Sequence, residues 1–320
     1  MRQPRTRSAR LLALVAPVVA LATCLVTSTA SAYVRSRTGS GTAVRFDSAC
    51  VFLGIDTRGS IDVSLADVEA TVDKSMSNWS GIAQCSYLEL KKADPAERDA
   101  RYDGKNVVQF LHDSWCHPAD KNNPERCYDS AAAAITTVFF LDRPGEAHDG
   151  TIIDADIEVN EVNFTFVLLP SDKMARPRTA TADLENTLTH EIGHLMGLDH
   201  TCSDNSTPAN AVDQNGMHPV ACSKLRTLDA TTRATIENAT MFNSAEPGET
   251  KKRSPEADDI AGICEAYPAG DKAPTRCAPV DLGRYTKGCQ AAPGQTPEAG
   301  ALLLGLLVAA VLLRPARRRG

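Results

Sequence analysis

Residues 189 to 200 read THEIGHLMGLDH and gather three of the chain's seven histidines, one glutamate and two glycines. On a helix, His190 and His194 stand four positions apart, so their imidazoles leave the same face and can reach one metal ion. Glu191, one position on, points beside such an ion, where a base for a metal-activated water belongs. Gly197 can adopt the left-handed conformation that ends a helix, and the chain can then turn back to bring in His200 as a third nitrogen ligand. Three neutral imidazoles leave the fourth position on zinc open, as a catalytic rather than a structural site requires. HExxH alone would arise by chance in about one such sequence in a hundred, and the full HExxHxxGxxH in about one in 10⁵. The chemistry implied is hydrolysis: zinc lowers the pKa of a water towards about 7, and Glu191 takes its proton as the water attacks.

The elements that must carry these residues are legible around them. Leu184, Leu188, Ile192 and Leu195 or Met196 recur at helical spacing, and Thr181 or Asp183 can cap the helix. Ala49 to Ile55 reads as a strand. Leu65 to Trp79 reads as an amphipathic helix with Val68, Val72 and Met76 on one stripe. Residues 86 to 134, polar and rich in proline and aspartate, read as a long excursion around one short strand, Val107 to Leu111. Ala134 to Leu141 and Thr151 to Val159 read as strands, and the alternation of Ile153, Ala155, Ile157 and Val159 with Asp154, Asp156 and Glu158 predicts an exposed or edge position for the second. No internal repeat is present.

The two ends of the 320-residue chain are of a different kind. The first 32 residues carry Arg2, Arg5, Arg7 and Arg10, an apolar run from Leu11 to about Val26, and Ala30-Ser31-Ala32, the pattern of a cleaved secretory signal peptide. A degenerate lipoprotein cleavage box at Leu21 to Cys24, with threonine before the cysteine, is the weaker alternative. Near the C-terminus, fifteen uncharged residues from Ala299 to Leu313 precede Arg314, Arg317, Arg318 and Arg319. Such a helix spans roughly 22 Å, short of the ~30 Å hydrocarbon core. The arginine cluster fits the cytoplasmic side and leaves the rest of the chain outside.

Of ten cysteines, Cys24 leaves with the signal and Cys289 falls in the tail, so eight remain for disulfides. Connectivity is not deducible, and proximity in sequence gives the simplest pairing: Cys50 with Cys85, Cys116 with Cys127, Cys202 with Cys222 and Cys264 with Cys277. No C-x-x-C pair is present, which argues against a zinc ribbon or a thioredoxin-like redox site. The net charge of −6 includes +4 from the signal and +3 from residues 290 to 320. Residues 33 to 289 therefore carry about −13, which argues against nucleic acid as a partner.

HEIGHLMGLDH resembles the signature of the metzincin metalloproteases, and the chain is most similar to matrixin-like bacterial enzymes. The stretch from Ala239 to Pro268, ATMFNSAEPGETKKRSPEADDIAGICEAYP, resembles the matrixin sequence of a methionine turn, a specificity loop and a final helix, with Asp258, Asp259, Ile260, Gly262, Ile263 and Tyr267 matching that ending. The resemblance implies that Met241, rather than Met217, forms the methionine turn beneath the metal. It implies an α+β fold, with a twisted mixed β-sheet, an active-site helix carrying HExxH and a small C-terminal subdomain after the third histidine. It further implies a zinc metalloendopeptidase with one catalytic zinc, His190, His194 and His200 as ligands and Glu191 as general base and acid, acting on protein or peptide substrates. The DADIEVN strand, Asp154 to Asn160, resembles the edge strand with which extended substrate pairs in that family.

The resemblance covers roughly residues 45 to 268, and there are departures. The stretch between His200 and Met241 is far longer than in vertebrate matrixins and reads as a disulfide-closed insertion beside the cleft. The structural zinc and calcium loop of animal matrixins is not matched, so no structural Ca2+ or Zn2+ is indicated. No pro-cysteine segment is evident, although Cys50 could in principle stand at a zinc position. An astacin- or reprolysin-like branch is the runner-up, set back because no tyrosine immediately follows Met241, and a non-catalytic zinc-binding surface module is the rival of another class. The tail after Gly288-Cys289 resembles the MYXO-CTERM sorting tails of myxobacterial surface proteins, which implies a sorting protease as partner and cleavage with lipid attachment at Cys289; an ordinary tail anchor is the alternative. The expected organisation is a signal peptide over 1–32, a catalytic domain over 33–268 with insertions at about 86–134 and 201–238, a linker over 269–298 and a hydrophobic tail over 299–320. The protein is expected to be secreted and then held at the cell surface or outer membrane, or released, with membrane contact through the tail or lipid.

Overall fold

The computed structural model describes residues 32–119, 124–170 and 179–286. The signal sequence through residue 31, Cys289 and the C-terminal tail lie outside the described residues. Among the described residues, no helix is long and apolar enough to cross a membrane.

Five strands form the main sheet: β1 (Cys50–Ile55), β2 (Glu89–Lys92), β3 (Val107–Leu111), β4 (Ala134–Phe140) and β5 (Ile152–Asn160), in the order β2-β1-β3-β5-β4. The first four in that order run parallel, and β4 joins β5 antiparallel at the edge. One face, with Val51, Leu53, Val108, Phe110, Ala155 and Ile157, is buried in a single core with helices α1 (Leu65–Asn78) and α2 (Leu184–Leu195). Ser64 starts α1 by accepting from Asp67 N at 3.2 Å, and Val68, Val72 and Met76 are its buried stripe. A 3₁₀ turn, Trp79–Gln84, continues it. Trp79 Nε1 donates to Thr189 O at 3.1 Å and so fixes α2 at the residue before His190. Of the two candidate caps for α2, Asp183 is the one used: its Oδ1 accepts from Asn186 N at 2.8 Å, and Arg253 pairs with the same carboxylate. Two further helices, α3 (Ala230–Asn238) and α4 (Ala257–Ala266), follow α2 in the chain.

Two sequence expectations are corrected. The strand carrying Asp154, Asp156 and Glu158 is not an edge strand, because β5 lies between β3 and β4 and is buried along its whole length. Its acidic alternation mimics an exposed face, but the 86–134 excursion folds over that face and meets each carboxylate. Asp154 accepts from Asp103 N and Gly104 N at 2.6 and 2.9 Å, Asp156 from Arg101 N and Val107 N at 2.8 and 3.0 Å, and Glu158 from Tyr128 Oη at 2.6 Å. The disulfides are Cys50–Cys277, Cys85–Cys264, Cys116–Cys127 and Cys202–Cys222, so two of the proximity pairs are replaced. Proximity fails where tertiary packing brings distant segments together: α4 lies against the turn that ends at Gln84, and residues 276–278 return beside β1, where Ala49 N donates to Arg276 O at 2.8 Å. Cys50, thus bonded, does not stand at a metal position. The stretch expected as a linker from 269 is held to the body by that disulfide and by Tyr285, which is buried with Leu141 and Ile153 and donates to Asp47.

The buried acidic row has a consequence for stability. Burial, and then the neighbouring Asp154, push Asp156 up to about 9, and burial pushes Asp154 up to about 6. The folded chain therefore keeps a proton on Asp156 that the unfolded chain releases near its ordinary value of about 4. The stabilisation from this group is complete below about pH 4 and is lost as the pH rises through about 9. In urea unfolding, Asp156→Asn is expected to flatten the fall in stability between about pH 6 and about pH 9; an unchanged slope would mean that Asp156 is already ionised in the folded protein.

Candidate metal centre

His190 and His194 leave the same face of α2, and the turn that follows brings His200 to them. Gly197 makes that turn with φ +93° and donates to His194 O at 2.8 Å. A Cβ at Gly197 would lie 2.6 Å from Val44 O, so the position needs glycine twice over. The three rings close into a triangle with centroids 4.8, 5.4 and 4.8 Å apart, and one nitrogen from each lies within 4.8 Å of the others.

The donor set suits a zinc ion. His190 Nδ1 stands 2.6 Å from Thr240 O and His194 Nδ1 stands 3.0 Å from Leu198 O. A carbonyl oxygen can only accept, so each Nδ1 carries the proton and each Nε2 keeps its lone pair. Burial holds both imidazoles below their ordinary pKa, well below for His190, which keeps them in the neutral, ligating form. His200 Nδ1 faces Asp204 Oδ2 at 3.5 Å; this carboxyl is held well below its usual range, chiefly by the facing imidazole. Asn243 Nδ2 donates to the same Asp204 oxygen at 2.7 Å.

Met241 packs against Gly193 of α2 and is fully buried, whereas Met217 is among the most exposed apolar residues described. A Cβ at Gly193, between the two helix histidines, would overlap Met241 Sδ, so this glycine is what admits the methionine against α2. Asp259, at the start of α4, accepts from Thr240 N at 2.7 Å and Met241 N at 3.2 Å. The turn it holds then offers Thr240 O to His190 and Met241 O to Thr201 N, next to His200, at 3.1 Å. One buried carboxylate thus fixes anchors for two of the three candidate ligands. Tyr267, which ends α4, donates to Met196 O at 2.8 Å and closes the same unit from behind. Gly262 lets α4 approach closely, since a Cβ there would lie 2.8 Å from Leu198 and 2.9 Å from Tyr33.

Glu191 sits beside the triangle rather than in it, almost wholly buried, and its Oε2 accepts from Thr136 Oγ1 on β4 at 2.6 Å. Reading the sequence missed Thr136, because the edge strand was assigned to residues 154–160. It also missed Lys252. This nearly buried lysine donates from its backbone to Asn186 Oδ1 at 2.8 Å and from Nζ to Phe242 O, bridging α2 to the residue after Met241. Burial pushes its ammonium down to about 8. Between His200 and Met241, the chain forms a small core of its own with Cys202, Leu225 and Ile236, capped by the Cys202–Cys222 bridge.

The site is therefore a three-histidine candidate metal centre with one adjacent carboxylate. No family model matches the chain, and no curated protein matches it. Among solved structures, the chain is similar to the GM1 bound form of the ECX AB5 holotoxin, with 11% identity and a TM-score of 0.38 over 74% of this chain and 89% of that one. A likeness at that level carries no argument about function.

Proposed function

We propose that the chain is a zinc-dependent endopeptidase of the metzincin group, matrixin-like, acting outside the cell on extended protein substrates. The observation that carries this reading is the convergence of His190, His194 and His200, two of them oriented by backbone carbonyls, with the Glu191 carboxylate adjacent but outside the triangle. Bound there, zinc would polarise the scissile carbonyl and lower the pKa of a water towards about 7. Glu191 then holds the proton taken from that water and delivers it to the leaving amine. Thr240 O and Leu198 O keep the ligand rings in place while this happens.

Substrate positioning falls to β4. Its side away from β5 pairs with no other strand among the described residues, so an extended peptide can add to it by backbone hydrogen bonds, a contact that selects extended polypeptide with little regard to sequence. Side chains between Met241 and Glu249, beyond the methionine turn, would set preference. Four disulfides fit secretion into an oxidising compartment. Surface retention through Cys289 and the sorting-type tail belongs to the same reading.

The expected result with the purified full chain is hydrolysis of casein that stops on addition of 1,10-phenanthroline and returns with zinc. Hydrolysis indifferent to the chelator would remove zinc from the account, and a zinc-loaded protein that cleaves neither casein nor any unfolded protein would leave a zinc-binding module in its place.

A further inference from the structure

We infer that Thr136 is a positioning residue for Glu191, so that the edge strand sets the base at the site; this rests on the endopeptidase reading above. Thr136 Oγ1 lies 2.6 Å from Glu191 Oε2 and 3.2 Å from the backbone oxygen of the same residue. Among the described residues it supplies the one side-chain hydrogen bond to that carboxylate, which is almost wholly buried. A buried carboxylate without a donor is costly, and one held by a single hydroxyl takes its orientation from that hydroxyl.

The two distances suit both states that Glu191 must occupy. A threonine hydroxyl has one proton and can also accept. Towards the ionised carboxylate it donates, at the length usual for an O–H bond to a charged oxygen. Once the other oxygen of Glu191 has taken a proton, Oε2 still accepts from Thr136 Oγ1, and the Glu191 backbone oxygen stays within reach of the same hydroxyl. Neither state leaves a buried polar group unpaired. The β-branch restricts χ1, so the hydroxyl stays aimed at α2. Thr136 is paired with Ile157 across β5–β4, and β4 is the strand along which substrate would add. The same strand thus locates the peptide and the base that serves it, and an error in their relative placement lowers the rate even where binding persists.

The test compares Thr136→Val, which keeps the shape and loses the hydroxyl, with Thr136→Ser in the full chain. Thr136→Val is expected to lower kcat by about tenfold or more with KM within about twofold, and Thr136→Ser to recover most of the loss. A second readout needs no turnover: in metal-free protein, Thr136→Val is expected to lower Tm when Glu191 is present and to lower it clearly less in a Glu191→Ala background. Equal kcat in wild type and Thr136→Val, a failure of serine to rescue, or additive Tm shifts in the double mutant would overturn the inference while leaving the endopeptidase reading intact. A zinc-loaded wild type that cleaves nothing would overturn the reading itself and the catalytic role of Thr136 with it.

Discussion

Replacing Glu191 with alanine is expected to lower casein hydrolysis by about 10²- to 10⁴-fold while zinc stays bound at about one per chain. The expectation follows from where Glu191 stands. Its carboxylate is held by Thr136 on the sheet side, while the nitrogens that would bind metal belong to His190, His194 and His200. Truncating Glu191 removes the group proposed to move the proton and leaves the carbonyls of Thr240 and Leu198 in place behind the rings. Zinc lost together with activity would instead make Glu191 a ligand. Activity retained in the variant would put the base elsewhere, and the spacing of HExxH would then describe a binding site only.

The second large effect is expected at Gly193, which lies between the two helix histidines and does no chemistry. A methyl group there would overlap Met241 Sδ and come to 3.1 Å from Trp79 Cζ2, both in a fully buried layer. Overpacking of this kind costs typically about 1–3 kcal/mol, because a packed interior yields only by moving backbone or forcing rotamers. The backbone that would move is the Thr240–Met241 turn, which orients His190 and holds Thr201 next to His200. Gly193→Ala is therefore expected to lower the urea midpoint and to weaken zinc binding together. Met241→Ala alone leaves a cavity, whereas Gly193→Ala with Met241→Ala is expected to be less destabilised than the sum of the two single variants. Full additivity would mean that Gly193 and Met241 do not bear on each other.

How much of this was readable in the chain depended on whether the relevant contact is local. The span of α2, its capping by one of two named residues, the spans of α1, β1, β3, β4 and β5, and the grouping of His190, His194 and His200 all arise from short-range periodicity or from a turn that Gly197 makes by itself. The Cys116–Cys127 and Cys202–Cys222 bridges close short loops of 11 and 20 residues, and proximity found them. Cys50–Cys277 and Cys85–Cys264 span 227 and 179 residues and depend on how α4 and the chain beyond it return to the body, which no local pattern carries. The acidic face of β5 misled for a related reason. Its alternation is the ordinary mark of solvent, but backbone amides at 101–107 and the Tyr128 hydroxyl take the place of water. That one misreading also hid Thr136, since the true edge strand lies on the other side of β5.

Zinc content measured on the same preparation as caseinolysis decides whether His190, His194 and His200 hold a zinc ion that serves peptide hydrolysis. About one zinc per chain is expected in both wild type and Glu191→Ala, with hydrolysis in the wild type alone. A wild type that hydrolyses casein without bound zinc, or that fails to retain zinc at all, would contradict it.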